Sequence, residues 1–199
     1  MSIKKLLLAT NNKGKLAELL VLLDKLPFLL LTPAQAGISL DVPEDGKTYI
    51  TNARRKALAF SRATGIAALA DDSGLEVDFL NGAPGVHSAR YAGIGASDEQ
   101  RIEKLLNNLK NIPLSMRAAR FKCVVSIATP NGKTQECAGS CRGVIALSPR
   151  GNNGFGYDPI FFFPKLNKTM AELEADVKNK ISHRALAIAR ACSVLEKML

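Results

Sequence analysis

Ala67-Ala68-Leu69-Ala70-Asp71-Asp72-Ser73-Gly74-Leu75-Glu76-Val77 is the stretch on which the reading of this chain turns. An apolar run meets two adjacent carboxylates, a hydroxyl and a glycine, and apolar residues then resume. The flanks read as strand. Asp, Ser and Gly are turn formers, so one reading of the middle is a hairpin loop between two strands. The other is a buried site: neighbouring carboxylates taken out of water cost several kcal/mol unless a cation or hydrogen-bond donors meet them. The rest of the chain supplies lysines, a further carboxylate and glycine loops that a hairpin does not need.

Upstream, Ile3 to Ala9 is a short apolar run that ends at Thr10-Asn11-Asn12-Lys13-Gly14-Lys15, after which Leu16, Leu19, Leu20 and Leu23 recur at helical spacing. That is strand, polar loop, helix. Backbone N–H groups at such a helix start suit an anion, and Lys13 and Lys15 add charge. The loop is not a Walker A motif, which requires G-x-x-x-x-G-K-[ST]. Phe28 to Leu31 reads as a second strand, and a loop with Asp41, Glu44 and Asp45 facing solvent follows. From Thr48 a helix runs to about Thr64 with Ile50, Ala53, Ala57 and Phe60 inward. Asn52 and Lys56, four apart on a neighbouring face, place Lys56 within reach of a site flanking that helix.

Downstream, Asn81 to Gly93 is a long irregular connection rich in glycine, in which His87 is a loop residue: no second histidine stands at ligand spacing. Ser97 with Gln100 forms a capping box for a helix through about Lys110. Ala118 to Ala128 and Lys133 to Cys141 flank Asn131-Gly132, a hairpin signal, and Gly143 to Leu147 leads on to Gly151-Asn152-Asn153-Gly154-Phe155-Gly156-Tyr157-Asp158-Pro159. That glycine pattern is not G-x-G-x-x-G, and strand-like residues follow it, which argues against a Rossmann site. Phe155, planted between glycines, either offers its face to a flat ring or is a core phenylalanine. Thr169 to Ala175 reads as a short helix, and Ser182 as the N-cap of a last helix with Ala187, Ile188, Ala191, Val194 and Leu195 inward and His183 and Arg184 at its mouth.

With 199 residues, 47% of them hydrophobic, the chain reads as one domain over residues 1–199, with no repeat or linker to split it. The expected class is α/β, with a long mixed central sheet. A net charge of +9, from 27 basic and 18 acidic residues, favours anionic partners. Few aromatics and no basic–aromatic interleaving argue against nucleic acid as that partner. Cys123, Cys137, Cys141 and Cys192 give one C-x3-C and no second pair, so neither a zinc knuckle nor a disulfide framework is indicated. No signal h-region and no bilayer-length apolar run occur, hence a cytoplasmic protein with no membrane partner is expected.

Lysines, an arginine, a hydroxyl-rich helix mouth and a carboxylate cluster together fit phosphate plus a divalent metal, and oxygen ligands favour Mg²⁺ or Mn²⁺ over zinc. Six stretches then carry a resemblance over nearly the full length. They are Thr10 to Lys15 with Glu18, Glu44-Asp45-Gly46 with Asn52-Ala53 and Lys56-Ala57, Ala70 to Leu75, Gly82 to Tyr91, Gly154 to Phe161, and Lys178 with Ile181 to Ala185. In this order they resemble the inosine triphosphate pyrophosphatases, or non-canonical purine NTP pyrophosphatases, of the Ham1-like type.

The resemblance implies an elongated mixed sheet with flanking helices and two lobes around an active-site cleft, in a homodimer. It implies an Mg²⁺-dependent hydrolase that converts ITP, dITP and XTP to the monophosphate and pyrophosphate. Carried over by matching positions, Asp72 resembles the catalytic carboxylate, Glu44 and Asp72 the metal ligands, with Asp45 the alternative to Glu44 and Asp71 in support. Thr10, Asn11, Asn12, Lys13, Gly14, Lys15, Lys56, Ser73 and Lys178 resemble the phosphate contacts. Phe155, Gly156, Tyr157, Asp158, His183 and Arg184 resemble the base pocket. Donors from the His183-Arg184 region would accept a 6-oxo purine and reject the amino group of adenine. A Maf-like pyrophosphatase acting on pyrimidine or modified nucleotides is the alternative enzyme, and the Gly154-to-Asp158 and His183-Arg184 matches argue against it.

Overall fold

Lys4–Leu8 (β1) pairs in parallel with Phe28–Leu31 (β2) on one side and with Ala67–Val77 (β3) on the other. The run Leu6-Leu7-Leu8 does not alternate in polarity because a parallel strand of this kind is covered on both faces. The computed structural model describes residues 4–198. Ala118–Ala128 (β4), Thr134–Ile145 (β5), Phe161–Phe163 (β6) and Lys168–Thr169 (β7) complete a seven-stranded sheet in the order β2-β1-β3-β4-β5-β6-β7. β6 is antiparallel to both β5 and β7, so the sheet is mixed, as expected. Its helices are Lys13–Leu23 (α1), Tyr49–Thr64 (α2), Asp98–Asn108 (α3), Ala175–Ile181 (α4) and His183–Glu196 (α5). None of the described helices is long and apolar enough to cross a membrane.

The chain forms two compact units, neither continuous in sequence. The first comprises Met1–Asp72, Cys123–Gly139 and Arg184–Leu199. Period-two alternation gives its strands two apolar faces. Leu6, Leu8 and Leu69 pack with Leu19 and Leu23 of α1 and Ala187 and Ile188 of α5. Leu7, Ala9, Ala68 and Ala70 pack with Ala57 and Phe60 of α2. Each fully buried leucine contributes about 1.5–3 kcal/mol. The second unit comprises Ser73–Lys122 and Ser140–His183. Leu75, Val77, Phe121, Ile145 and Phe161 pack there with Ile102 and Leu105 of α3, whose Ser97–Gln100 capping box is complete.

Several local expectations change. β3 runs unbroken through Asp71, Asp72 and Ser73, so the hairpin-loop reading of that stretch is wrong. β5 likewise continues past Cys141 to Ile145. Ile50 is exposed, because the inward stripe of α2 runs through Tyr49, Ala53, Ala57 and Phe60. In place of a helix over 169–175 there is a 3-10 turn, Met170–Glu172, closed by a Thr169–Glu172 capping box. Lys178 lies inside α4, and Ser182 ends α4 as α5 begins.

Candidate active site

Adjacent residues of a strand point to opposite faces, and this separates the two carboxylates of β3. Asp71 shares a face with Leu69 and meets α1 and α5; Asp72 shares one with Ala70 and meets α2. Asp71 is fully buried. Lys15 Nζ stands 3.3 Å from its Oδ2, and Arg184 donates to the same oxygen from Nε at 3.2 Å and Nη2 at 3.1 Å. Arg184 Nη1 also pairs with Glu18, which shares a face of α1 with Lys15. Burial works against the Asp71 charge, yet Lys15, Arg184 and Lys56 overcome it and hold the carboxyl well below the usual carboxylate range. Cys123 Sγ lies 3.9 Å from Asp71 Oδ2, and burial pushes its thiol up to about 12, which leaves it neutral.

Asp72 is 4% exposed, and its Oδ2 accepts a hydrogen bond from Asn52 Nδ2 at 2.9 Å. The other end of the same buried amide, Asn52 Oδ1, accepts from Gly46 N–H at 2.8 Å. Asn52 thus ties the acidic loop to the Asp72 carboxylate. A Cβ on Gly46 would lie 2.5 Å from Asn52 Oδ1, so only glycine lets the loop come this close. Lys56 Nζ pairs with Glu44 and donates to the backbone oxygen of Asp71 at 2.6 Å. Its ammonium is held above its usual range, since Asp71 and Glu44 outweigh burial. For Asp72 the balance is reversed. Burial raises its carboxyl, Glu44 adds repulsion, and Lys15, the Asn52 hydrogen bond and Lys56 do not fully compensate.

Glu44 and Asp72 fit a hard divalent cation. Both offer oxygen, and their mutual repulsion is what a cation relieves. Among the described residues no group of three or more His, Cys, Asp or Glu could hold a metal alone. Between the two candidates in the acidic loop, Glu44 is half-buried and turned to Lys56, whereas the Asp45 side chain is 72% exposed and pairs with Arg55.

Asn12 caps α1 by accepting from Lys15 N–H at 2.9 Å, and Thr10 Oγ1 accepts from Asn12 N–H at 3.2 Å. Lys13 and Gly14 occupy the first turn, and Asn11 Nδ2 reaches Leu40 O at 3.5 Å. A lysine-bearing helix start of this kind is an anion cradle.

In the second unit, Lys178 Nζ donates to Asp158 Oδ2 at 2.6 Å, and both residues are buried. The same oxygen accepts from Phe155 N–H at 3.0 Å, and Lys178 Nζ lies 5.4 Å from the Phe155 ring centre. Phe155 is half-buried and outside the core, and Ser73 is half-buried on β3. Tyr157 Oη is engaged in the interior, donating to Ser88 O at 2.9 Å. The His183 ring stacks on Phe121, with centroids 4.6 Å apart.

Lys15, Glu44, Lys56, Asp71, Asp72 and Arg184 therefore form one network in the first unit, and Phe155, Asp158 and Lys178 another in the second. Arg184, expected to face a base, donates to Asp71 and pairs with Glu18. Asn52 and Glu18 have roles that sequence reasoning did not assign. The available signals were the four-residue spacing of Asn52 and Lys56 and the three-residue spacing of Lys15 and Glu18.

Fold and site together define an α/β protein whose first unit gathers lysines, carboxylates and a helix N-terminus into one cluster. The chain belongs to the Ham1 family, whose model matches residues 6–194. It is 50% identical over 185 residues to a dITP/XTP pyrophosphatase of Geobacter sulfurreducens, covering 93% of each chain. To that of Desulforamulus reducens it is 48% identical over 194 residues, covering 98% of this chain and 96% of the relative. Among solved structures, a HAM1 protein from Coxiella burnetii superposes with a TM-score of 0.88 at 43% identity, covering 98% of this chain and 99% of that one. The Staphylococcus aureus Ham1 protein gives 0.86 at 44% identity, covering 98% and 100%.

Proposed function

We propose that this chain is a nucleoside-triphosphate pyrophosphatase that hydrolyses ITP, dITP and XTP to the monophosphate and pyrophosphate, clearing these non-canonical purines from the nucleotide pool. The observation that carries the reading is the division of labour in β3. Asp71 is neutralised by Arg184 and Lys15, while Asp72 faces Asn52 and has a carboxyl that burial raises. That its relatives are dITP/XTP pyrophosphatases supports the substrate class.

In this reading the first turn of α1 with Lys15 and Lys56 receives the triphosphate. Asp72 takes a proton from water as the water oxygen bonds to the α-phosphorus. The bridge from that phosphorus to the β-phosphate oxygen breaks, and pyrophosphate leaves. Lys15 and Lys56 stabilise the charge that gathers on the leaving group. Glu44 and Asp72 hold Mg²⁺, with Mn²⁺ able to replace it; when bound, the ion neutralises phosphate charge. Phe155 offers its face to the purine. Donors at the start of α5, around His183, match the 6-oxo group of hypoxanthine and xanthine and oppose the amino group of adenine. The working form is a homodimer.

Hydrolysis of ITP in ¹⁸O-labelled water tests the reaction. The label is expected in the monophosphate, with pyrophosphate unlabelled and excess EDTA abolishing turnover. Labelled pyrophosphate, or orthophosphate as the first product, would contradict attack at the α-phosphorus.

A further inference from the structure

The backbone on either side of Phe155 is held by two carboxylates from different elements. Phe155 N–H donates to Asp158 Oδ2 at 3.0 Å, and the next N–H, of Gly156, donates to Asp98 Oδ2 at 2.6 Å. Asp158 belongs to the Lys178 cluster already described. Asp98 does not: it is the first residue of α3. Its other oxygen pairs with Arg101 Nη2, and Arg101 Nη1 donates to Ala89 O at 2.7 Å and Ala96 O at 2.8 Å. The carboxylate that grips Gly156 is thus itself anchored to the start of α3 and the segment before it.

The grip matters because of what it restrains. Gly156 has φ +63° and Gly154 φ +81°, left-handed conformations that glycine adopts without strain but also leaves readily. A cavity of ≈ 640 Å³ opens beside this loop, lined by Asp98, Ile102, Asn152, Asn153, Phe155 and Gly156 among others, so the loop has space to move into. A charge-assisted hydrogen bond to a backbone amide is strong and directional, and ordering a loop before the ligand arrives raises affinity.

We propose that Asp98 is a positioning residue for nucleobase binding: by holding the Gly156 amide, it fixes the Phe155 ring in the orientation that stacks on the purine. This rests on the reading above in which Phe155 faces the base. In this inference Asp98 acts through the Gly156 amide, so its effect falls on binding of the base and not on the step at phosphorus.

The test compares Asp98→Ala, Asp98→Asn and Phe155→Ala with ITP as substrate and inorganic tripolyphosphate, which has no base, as competitive inhibitor. Asp98→Ala is expected to raise KM for ITP about tenfold, with kcat within about twofold and the tripolyphosphate inhibition constant unchanged. Asp98→Asn keeps an oxygen that can accept from Gly156 N–H and is expected to recover most of the KM. An unchanged KM in Asp98→Ala, alongside a raised KM in Phe155→Ala, overturns the inference and leaves the base reading standing. Equal losses of ITP and tripolyphosphate binding also overturn it. If Phe155→Ala leaves KM unchanged, the base reading fails and the inference falls with it. A readout free of turnover is available because the chain contains no tryptophan. In a Phe155→Trp background, Asp98→Ala should lower the fluorescence anisotropy of the single indole, and unchanged anisotropy overturns the inference.

Discussion

The Arg184 guanidinium closes on Asp71 Oδ2 through both Nε and Nη2, at 3.2 and 3.1 Å, with both side chains out of solvent. The arginine is committed to the carboxylate of β3 and to Glu18, so its removal acts on the scaffold of the site before it acts on any base. Breaking a buried pair by deleting one partner costs about 3–5 kcal/mol. Arg184→Ala is expected to lose stability on that scale in urea unfolding. Arg184→Lys should recover only part, because the planar fork that reaches Asp71 and Glu18 together is gone. Unfolding midpoints equal to wild type in both variants would contradict the pairing.

The same carboxyl sets an acid limit. The folded state holds Asp71 below its unfolded value of about 3.9, so its contribution is fully present above that pH and is lost as pH falls through the folded value. Wild-type stability should therefore decline below about pH 4. Asp71→Asn is expected to be less stable at pH 7 but flatter across the acid range. Parallel acid unfolding curves would show that Asp71 carries no such linkage.

Asp72 has the opposite sign. Burial first, and Glu44 in addition, raise its carboxyl, so the ionised form present at neutral pH opposes folding, and the opposition disappears as pH falls below the unfolded value. In metal-free protein at pH 7, Asp72→Asn should raise Tm by a few degrees while turnover falls about 10³-fold. A variant that is both active and no more stable than wild type would remove Asp72 from its proposed role.

Gly46 and Asn52 are coupled through the buried hydrogen bond of 2.8 Å. A methyl group at Gly46 has to displace the Asn52 amide, and with it the link from the Glu44 loop to Asp72. Gly46→Ala is expected to lower kcat/KM about tenfold, and the double variant with Asn52→Ala should lose little more than Asn52→Ala alone. Additive losses in steady-state kinetics would show that the two residues act separately.

Much of this was legible in the sequence, and the gaps have physical causes. Adjacent buried carboxylates announced that cations must meet them, and Lys15 and Lys56 could be placed by loop position and helical spacing. Arg184 lies 113 residues beyond Asp71, and nothing local ties a helix mouth to a strand that distant. The turn reading of Asp71-Asp72-Ser73-Gly74 failed because propensity is local, whereas pairing along β3 and three nearby cations override it. The seven residues of α4 are too few to show a helical period, so that helix was not expected. The alternation of Asp71 and Asp72 between faces was implicit in a strand all along. It gained meaning only once the two faces had different helices on them.

The most direct test of the account is pyrophosphate release from a panel of ITP, dITP, XTP, GTP, ATP, UTP and dTTP with Mg²⁺, with pyrophosphate and orthophosphate counted separately. Pyrophosphate is expected chiefly from ITP, dITP and XTP. Turnover chiefly of UTP or dTTP, or equal turnover of ATP and ITP, would contradict it.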